Sequence, residues 1–288
     1  MSKILVTGGA GFVGSHLCER LYSMGHSVTS LDNYFTGSTR NHVPGVNYIS
    51  GSTELINNIF RTIRFDIIFH LGEYSRVEQS FDDINLVWQY NKLGTYEVLK
   101  YVQKNKSKLI YAGSSTKYAD HTPGYVQSPY TWSKASNTEL VKQYAEWYGF
   151  DYAITYFYNV YGGREISDGK YATLIAKYKE LARQNKPLPV VLPGTQARNF
   201  THIDDIVDAL VLIGENGHGD EYGIGNPSGF TIQQVAELFE QPIEHLPERR
   251  GNRMSAPVVS NKTKALGWEP TRELFDYINI LKQNGWNI

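Results

Sequence analysis

A single cysteine, Cys18, stands in a chain of 288 residues. No internal disulfide and no thiolate metal cluster can form from it, which suits a reducing compartment. An excess of either charge is missing as well: 28 basic and 29 acidic side chains leave a formal net charge of −1. Without a basic field, nucleic acid is a poor partner. No uninterrupted apolar run approaches the ~20 residues of a membrane span. The first residues reach a glycine run before a signal peptide's apolar core could form. The expectation is a cytoplasmic protein with no membrane partner. Hydrophobic residues at 41% and charged ones at 20% are ordinary globular usage, and the length allows one large or two small domains.

The first half alternates between two periodicities. Residues 3–7, 27–32, 46–50, 66–71, 108–112 and 152–158 read as strands. Residues 12–24, 54–63 and 82–104 carry apolar positions at helical spacing. A further helix is expected from about Tyr130, because Pro129 sits where a missing N–H costs nothing. Strands separated by helices imply right-handed crossovers and a parallel sheet covered on both faces. Beyond residue 160 the rhythm loosens, with helices expected at 171–184, 204–213 and 232–239 and a strand at 221–224. The fold class expected is α/β: a doubly wound (Rossmann) parallel sheet over residues 1–160, then a smaller mixed α/β substrate lobe over 161–288. The chain would cross between the two.

Thr7-Gly8-Gly9-Ala10-Gly11-Phe12-Val13-Gly14 lies between the first strand and the first helix. Glycines there permit a tight turn and let backbone N–H groups and a helix N-terminus meet a pyrophosphate. The plain alternative is an ordinary β–α turn, but an acid, Asp32, ends the second strand where a ribose would lie. A carboxylate there accepts ribose hydroxyls and repels a 2′-phosphate, so NAD is the expected cofactor.

Tyr130 and Lys134 stand four apart on one helical face. Tyr96 and Lys100 repeat the spacing but fall mid-helix, where packing or solvation explains them. Tyr130 and Lys134 instead begin the helix that follows the fifth strand and its Gly113-Ser114-Ser115-Thr116 loop, at the carboxyl edge of the sheet where ligands bind. A free phenol titrates near 10. An ammonium and an oxidised nicotinamide nearby would favour its ionised form, making Tyr130 a base. Ser114 could hold the same substrate oxygen, or be a turn serine capping backbone N–H groups, as Ser115 and Thr116 are expected to be.

These motifs, with Asp32-Asn33, residues 70–80 (HLGEYSRVEQS) and residues 130–134 (YTWSK), resemble the extended short-chain dehydrogenase/reductase superfamily. Within it the chain is similar to NAD-dependent nucleotide-sugar epimerases and dehydratases, most closely UDP-hexose 4-epimerases. Tyr158-Asn159-Val160-Tyr161-Gly162, residues 196–200 (QARNF), 248–252 (ERRGN) and 266–270 (LGWEP) extend the resemblance across nearly the whole chain. It implies NAD contacts from Gly8, Gly11, Phe12, Val13, Gly14, Asp32, Asn33, Ser52, Thr53, Leu71, Gly72, Asn91, Tyr130, Lys134 and Tyr158. It implies a UDP-linked sugar at Tyr74, Ser114, Ser115, Asn159, Arg198 and Arg249, guanidinium forks matching phosphate oxygens. Asn91 could equally make a buried helix–helix hydrogen bond. Departures from the pattern are Gly72 and Glu73 after the His-Leu pair, Ser52 or Thr53 for an aspartate, Tyr156 for an arginine, Gly163 for a proline and Asn252 for an acid.

Dehydratase relatives carry an acidic pair after the loop serine, and decarboxylase relatives one glutamate; Ser115 and Thr116 cannot do carboxylate work. The expected reaction is therefore 4-epimerisation through a transient 4-keto sugar, with Ser114, Tyr130 and Lys134 as catalytic residues. Ala256 leans the expected substrate towards a 2-acetamido sugar (UDP-GlcNAc/UDP-GalNAc) over UDP-glucose/UDP-galactose. A dehydratase, decarboxylase or reductase of the same family is the alternative, and a non-catalytic NAD-binding protein a further one. No metal is expected: Asp204 and Asp205 read as helix caps beside His202, and His70 as a core histidine. Relatives pair two long helices, so a homodimer is expected, with Trp88, Tyr144 and Trp147 as interface or core aromatics.

Overall fold

The computed structural model describes residues 1–118, 128–248, 254–255 and 257–287. Six short apolar runs become the strands β1 (Lys3–Thr7), β2 (Ser27–Asp32), β3 (Asn47–Ser50), β4 (Ile67–His70), β5 (Lys108–Ala112) and β6 (Tyr152–Phe157). The chain then adds β7 (Asn159–Tyr161), β8 (Leu188–Val191), β9 (Ala197–His202), β10 (Gly219–Ile224), β11 (Gly229–Thr231) and β12 (Ile243–Leu246). The main sheet has seven strands in the order β10-β6-β5-β4-β1-β2-β3, each pair parallel. Strand order reverses between β1 and β4, which opens a crevice at their carboxyl ends. The seventh strand, β10, comes from beyond residue 160. Two smaller sheets, β11-β9-β7 and β12-β8, stand apart from it.

Period-2 alternation explains why the sheet is covered twice. Ile4 and Val6 of β1, Phe69 of β4 and Ile110 of β5 face one core, with Leu17 and Leu21 of helix Phe12–Ser23 and Ile206, Leu210 and Ile213 of helix Ile203–Asn216. Leu5, Ile68, Leu109 and Tyr111 face the other, under Val98, Leu99 and Val102 of helix Gly94–Asn105 and Val141 of helix Pro129–Tyr148. Each fully buried side chain of this size is worth about 1.5–3 kcal/mol. A third core joins Tyr178, Leu188, Val190, Phe200, Val235, Phe239 and Ile278 beneath the small sheets.

Helix Pro129–Tyr148 starts where the sequence expects: Pro129 occupies its first turn and the Ser128 hydroxyl accepts from Thr131 N–H at 3.1 Å. Two expected helices differ. Residues 54–63 form a 3-10 turn, Thr53–Leu55, and one α-helical turn, Ile56–Ile59, which the Asn57 side chain ties to the Glu97 carbonyl and carboxylate, both at 2.9 Å. The stretch 82–104 is interrupted by a wide π-helical turn, Trp88–Leu93, between Ile84–Val87 and Gly94–Asn105.

Candidate active site

A cleft of about 660 Å³ opens at the strand-order reversal, a size typical of small-molecule sites. Its floor is the glycine loop after β1. Gly8 has φ +72°, and a Cβ there would come within 2.9 Å of Gly72 Cα; a Cβ on Gly14 would lie 2.1 Å from the Gly8 carbonyl oxygen. The loop is therefore pressed against both its own helix and the chain leaving β4, and the start of helix Phe12–Ser23 opens into the cleft. Asp32 stands beside it and accepts from Ala10 N–H at 2.9 Å and Tyr34 N–H at 2.8 Å. Burial pushes its carboxyl up, and those hydrogen bonds pull it back. A backbone cradle at a helix N-terminus with a carboxylate at its rim fits a dinucleotide: diphosphate on the N–H groups, ribose at the acid.

Across the cleft lie Ser114, Ser115, Thr116, Tyr130 and Lys134. Ser114 Oγ accepts from Thr116 Oγ1 at 2.9 Å and Thr116 N–H at 3.3 Å. It thus serves the turn while keeping its own proton for a ligand. The Tyr130 hydroxyl, at the first turn of helix Pro129–Tyr148, has no hydrogen-bond partner among the described residues. Lys134 differs from the expected free ammonium. It is buried in an ion pair with Glu73 and also donates to the Ala112 carbonyl.

Glu73 ends a buried polar relay. Thr7 Oγ1 lies 2.8 Å from His70 Nδ1, His70 Nε2 lies 3.0 Å from Thr95 Oγ1, and Thr95 Oγ1 donates to Glu73 at 2.7 Å. Asn137 and Tyr111 add donors to the same carboxylate at 3.0 and 3.2 Å. Burial alone would raise the Glu73 carboxyl; the Lys134 ammonium and these donors outweigh it and hold it below the usual range. His70, pushed down to about 4 by burial, stays neutral near pH 7. It is the hydrogen-bonded core histidine of the sequence reading.

Other expected residues divide. Phe12, Val13, Gly11, Asn33, Thr53, Leu71, Gly72, Tyr74, Tyr158, Asn159 and Arg198 line the cleft. Ser52 lies outside that lining, its buried Oγ unpartnered. Asn91 is also outside it: fully buried in the π-helical turn, it bonds Tyr74 N–H at 2.7 Å, the Tyr74 carbonyl at 3.1 Å and Ser133 Oγ at 2.9 Å. It takes the helix-packing alternative because its amide is spent there. Arg249, Asn252 and Ala256 lie outside the described residues. His202 accepts from Asp204 N–H at 3.2 Å, and Asp205 accepts from Thr271 and Arg272.

Arg76, Phe35, Tyr90 and Thr173 line the cleft without having been singled out. A cation just past β4, at the carboxyl edge, was a visible signal for Arg76. Its contact with Tyr171, 95 residues on, left no local pattern.

A family model described as "NAD dependent epimerase/dehydratase family" matches residues 4–225. The UDP-N-acetyl-alpha-D-glucosaminuronate decarboxylase of Bacillus cytotoxicus is 31% identical over 272 residues, covering 85% of this chain and 83% of that one. The UDP-glucose 4-epimerase of Thermotoga maritima, solved with UDP-glucose, superposes with a TM-score of 0.90 at 26% identity, covering 98% of this chain and 99% of that one. The Thermus thermophilus UDP-glucose 4-epimerase, solved with NAD, gives 0.88 at 25% identity, covering 98% of each chain.

Proposed function

Because the chain belongs to the NAD dependent epimerase/dehydratase family, whose cofactor is NAD, we propose that it is a 4-epimerase of a UDP-linked sugar. The observation that carries this reading is the unpartnered Tyr130 hydroxyl, in one cleft with Ser114 and the glycine cradle, where Ser115 and Thr116 follow the loop serine in place of an acid. Gly8, Gly11 and Gly14 would hold the NAD diphosphate and Asp32 a ribose. When bound, NAD supplies a ring that takes up and returns a hydride.

Tyr130 takes the proton of the sugar 4-hydroxyl while Ser114 donates to the same oxygen. Asn159 and Arg198 retain the nucleotide part as the 4-keto sugar turns over, with Arg249 a third candidate grip. With the opposite face of C4 then turned towards the cofactor ring, Tyr130 returns its proton to the C4 oxygen. Residues 1–160 would chiefly serve the cofactor and 161–288 the sugar nucleotide. Two copies would pair through helices Gly94–Asn105 and Pro129–Tyr148. The buried thiol of Cys18 suits the cytoplasm.

A second reading, decarboxylation of a UDP-uronate, is favoured by the 31% identity to a decarboxylase. Incubation with UDP-glucose, UDP-GlcNAc and UDP-glucuronate, followed by NMR of the sugar C4 and trapping of carbon dioxide, separates the two. Inversion at C4 without gas release is expected, and Tyr130→Phe should slow it by about 100-fold or more. Carbon dioxide from the uronate would overturn the first reading; conversion unaffected by Tyr130→Phe would overturn both.

A further inference from the structure

The wall of the cleft carries a cation that the reaction above leaves unused. Arg76 lines the cleft. It donates through Nε and Nη2 to the Tyr171 carbonyl at 2.9 and 2.6 Å, and through Nη1 to the Ser75 carbonyl and hydroxyl at 3.0 and 3.1 Å. Every one of these bonds ends on a neutral oxygen. They fix the plane of the guanidinium and leave the second Nη2 hydrogen for a ligand. Among the described residues no carboxylate pairs with it: Glu165 accepts from Gly162 N–H at 2.9 Å, and Glu73 is held by Lys134. Burial strips the charge of part of its hydration and weakens its hold on its proton. A guanidinium so placed, desolvated and without a counter-ion, calls for an anion from the cleft.

Its place in the fold selects the anion. Asn91 accepts from Tyr74 N–H at 2.7 Å and donates to Ser133 Oγ at 2.9 Å, and Ser133 Oγ donates to the Tyr130 carbonyl at 2.8 Å. This chain of hydrogen bonds ties the backbone just before Arg76 to the first turn of helix Pro129–Tyr148, the end of the cleft where Tyr130 and Ser114 would meet the sugar 4-hydroxyl. The diphosphates have other holders: the glycine cradle after β1 for the cofactor, and Arg198 of β9 for the substrate. Beside C4 of a hexose stands C5, which carries C6. A charged C6 therefore lies at the Tyr130 end, away from the nucleotide.

We propose that Arg76 is a specificity-determining residue that pairs with a carboxylate at C6 of the sugar, so that the substrate is a UDP-linked hexuronate rather than a neutral hexose. This rests on the 4-epimerase reading above. The pairing also bears on the fate of the 4-keto sugar. Loss of carbon dioxide from it would break the C5–C6 bond and move that electron pair, with the negative charge, into an enolate on the C4 oxygen. A guanidinium bound at the carboxylate stabilises the charge where it starts, not where it would go, and so opposes that loss. Ser115 and Thr116, in place of an acid, add nothing that would promote it.

The test compares UDP, UDP-glucose and UDP-glucuronate as ligands of the NAD-loaded protein by isothermal titration calorimetry, repeated in Tyr130→Phe to stop turnover, with ¹³C NMR of the sugar C4 alongside. The wild type should bind UDP-glucuronate about tenfold or more tightly than UDP-glucose, the gain expected of a charge-assisted pair. Arg76→Gln should erase that preference while leaving UDP and UDP-glucose within about twofold of the wild type, and Arg76→Lys should restore part of it. Equal wild-type affinity for the two sugars would overturn the proposal without any Arg76 variant having to fold. So would an Arg76→Gln protein that keeps the preference, or one that loses affinity for all three ligands by a common factor, the mark of a phosphate contact. Should no sugar be inverted at C4, or should the uronate release carbon dioxide, the reaction reading fails while the calorimetry still decides the role of Arg76.

Discussion

Glu165 is half-buried as a residue, yet its Oε1 is shut off from solvent and meets no donor. Its Oε2 accepts from Gly162 N–H at 2.9 Å. Burial pushes this carboxyl from 4.5 up to about 7, against the pull of Gly162, Thr173, Lys179 and Arg76. The folded chain therefore keeps a proton that the unfolded chain gives up near 4.5. Stability from this group is fully present below the unfolded value and is lost as pH rises through about 7. At ~1.4 kcal/mol per pH unit, the loss is about 3 kcal/mol by pH 8. Glu165→Gln, which keeps the shape without the titration, should match the wild type at pH 4 in urea unfolding and exceed it at pH 8. A wild-type curve that is flat between those pH values would refute the account. Glu73 is the opposite case, a carboxyl held ionised by Lys134. Removing Lys134 alone strands that charge and should cost about 3–5 kcal/mol, read in the same unfolding experiment.

Several links converge on the stretch 162–173, of which Ile166, Ala172 and Thr173 line the cleft. Lys170 pairs with Asp83 at 2.9 Å, and the Tyr171 and Tyr74 hydroxyls donate to the same carboxylate at 2.8 and 2.9 Å. Arg76 holds the Tyr171 carbonyl, and the Tyr171 ring lies 5.2 Å from that of Phe35, just past Asp32. Asp83 thus pins this strap to Tyr74 and, through Tyr171, to Phe35, both of which line the cleft. Asp83→Ala removes four hydrogen bonds from three donors, at about 1 kcal/mol per donor, and should speed NAD release at least about tenfold in stopped-flow displacement. An unchanged release rate would show that the strap does not retain the cofactor.

None of this strap was legible in the sequence, because residues 170 and 171 meet their partners across 87 or more positions and no periodicity links them. The main sheet was legible for the opposite reason: β1 to β6 are short runs set between helical periods, and β1, β4, β5 and β6 among them are apolar and buried on both faces. The strands β8, β9, β11 and β12 carry mixed, half-buried patterns that alternation does not reveal. The π-helical turn kept the apolar spacing of an ordinary helix. Of the candidate site, Tyr130 and the glycine cradle could be placed by position along the chain. The pairing of Lys134 with Glu73, 61 residues away, required the fold.

The outer face of the molecule carries a band of apolar side chains along two helices. Trp88 and Trp132 stack at 5.8 Å with planes 8° apart and both remain about half-exposed, while Trp147 is 61% exposed. Ile84, Leu93, Tyr96 and Tyr148 continue the band. Tyr144 instead turns inward to the sheet core, so of the three aromatics expected at an interface or in the core, it takes the core and Trp88 and Trp147 the surface. Contiguous exposed aromatics of this size mark a protein contact, and a second copy presenting the same band would form a two-fold, self-complementary pair. Burying one tryptophan in such a contact contributes about 2 kcal/mol or more. Two copies each losing Trp88 and Trp147 to glutamate should therefore fall apart to monomers at micromolar concentration in sedimentation equilibrium. Tyr130 is fixed from inside its own subunit: Ser133 on the same helix bonds the Tyr130 carbonyl and Asn91, and Asn137 bonds Glu73. The monomeric variant should consequently still bind NAD. A wild type that sediments as a monomer would remove the dimer from this account, whereas a variant that separates and loses NAD together would show that the cleft depends on its neighbour.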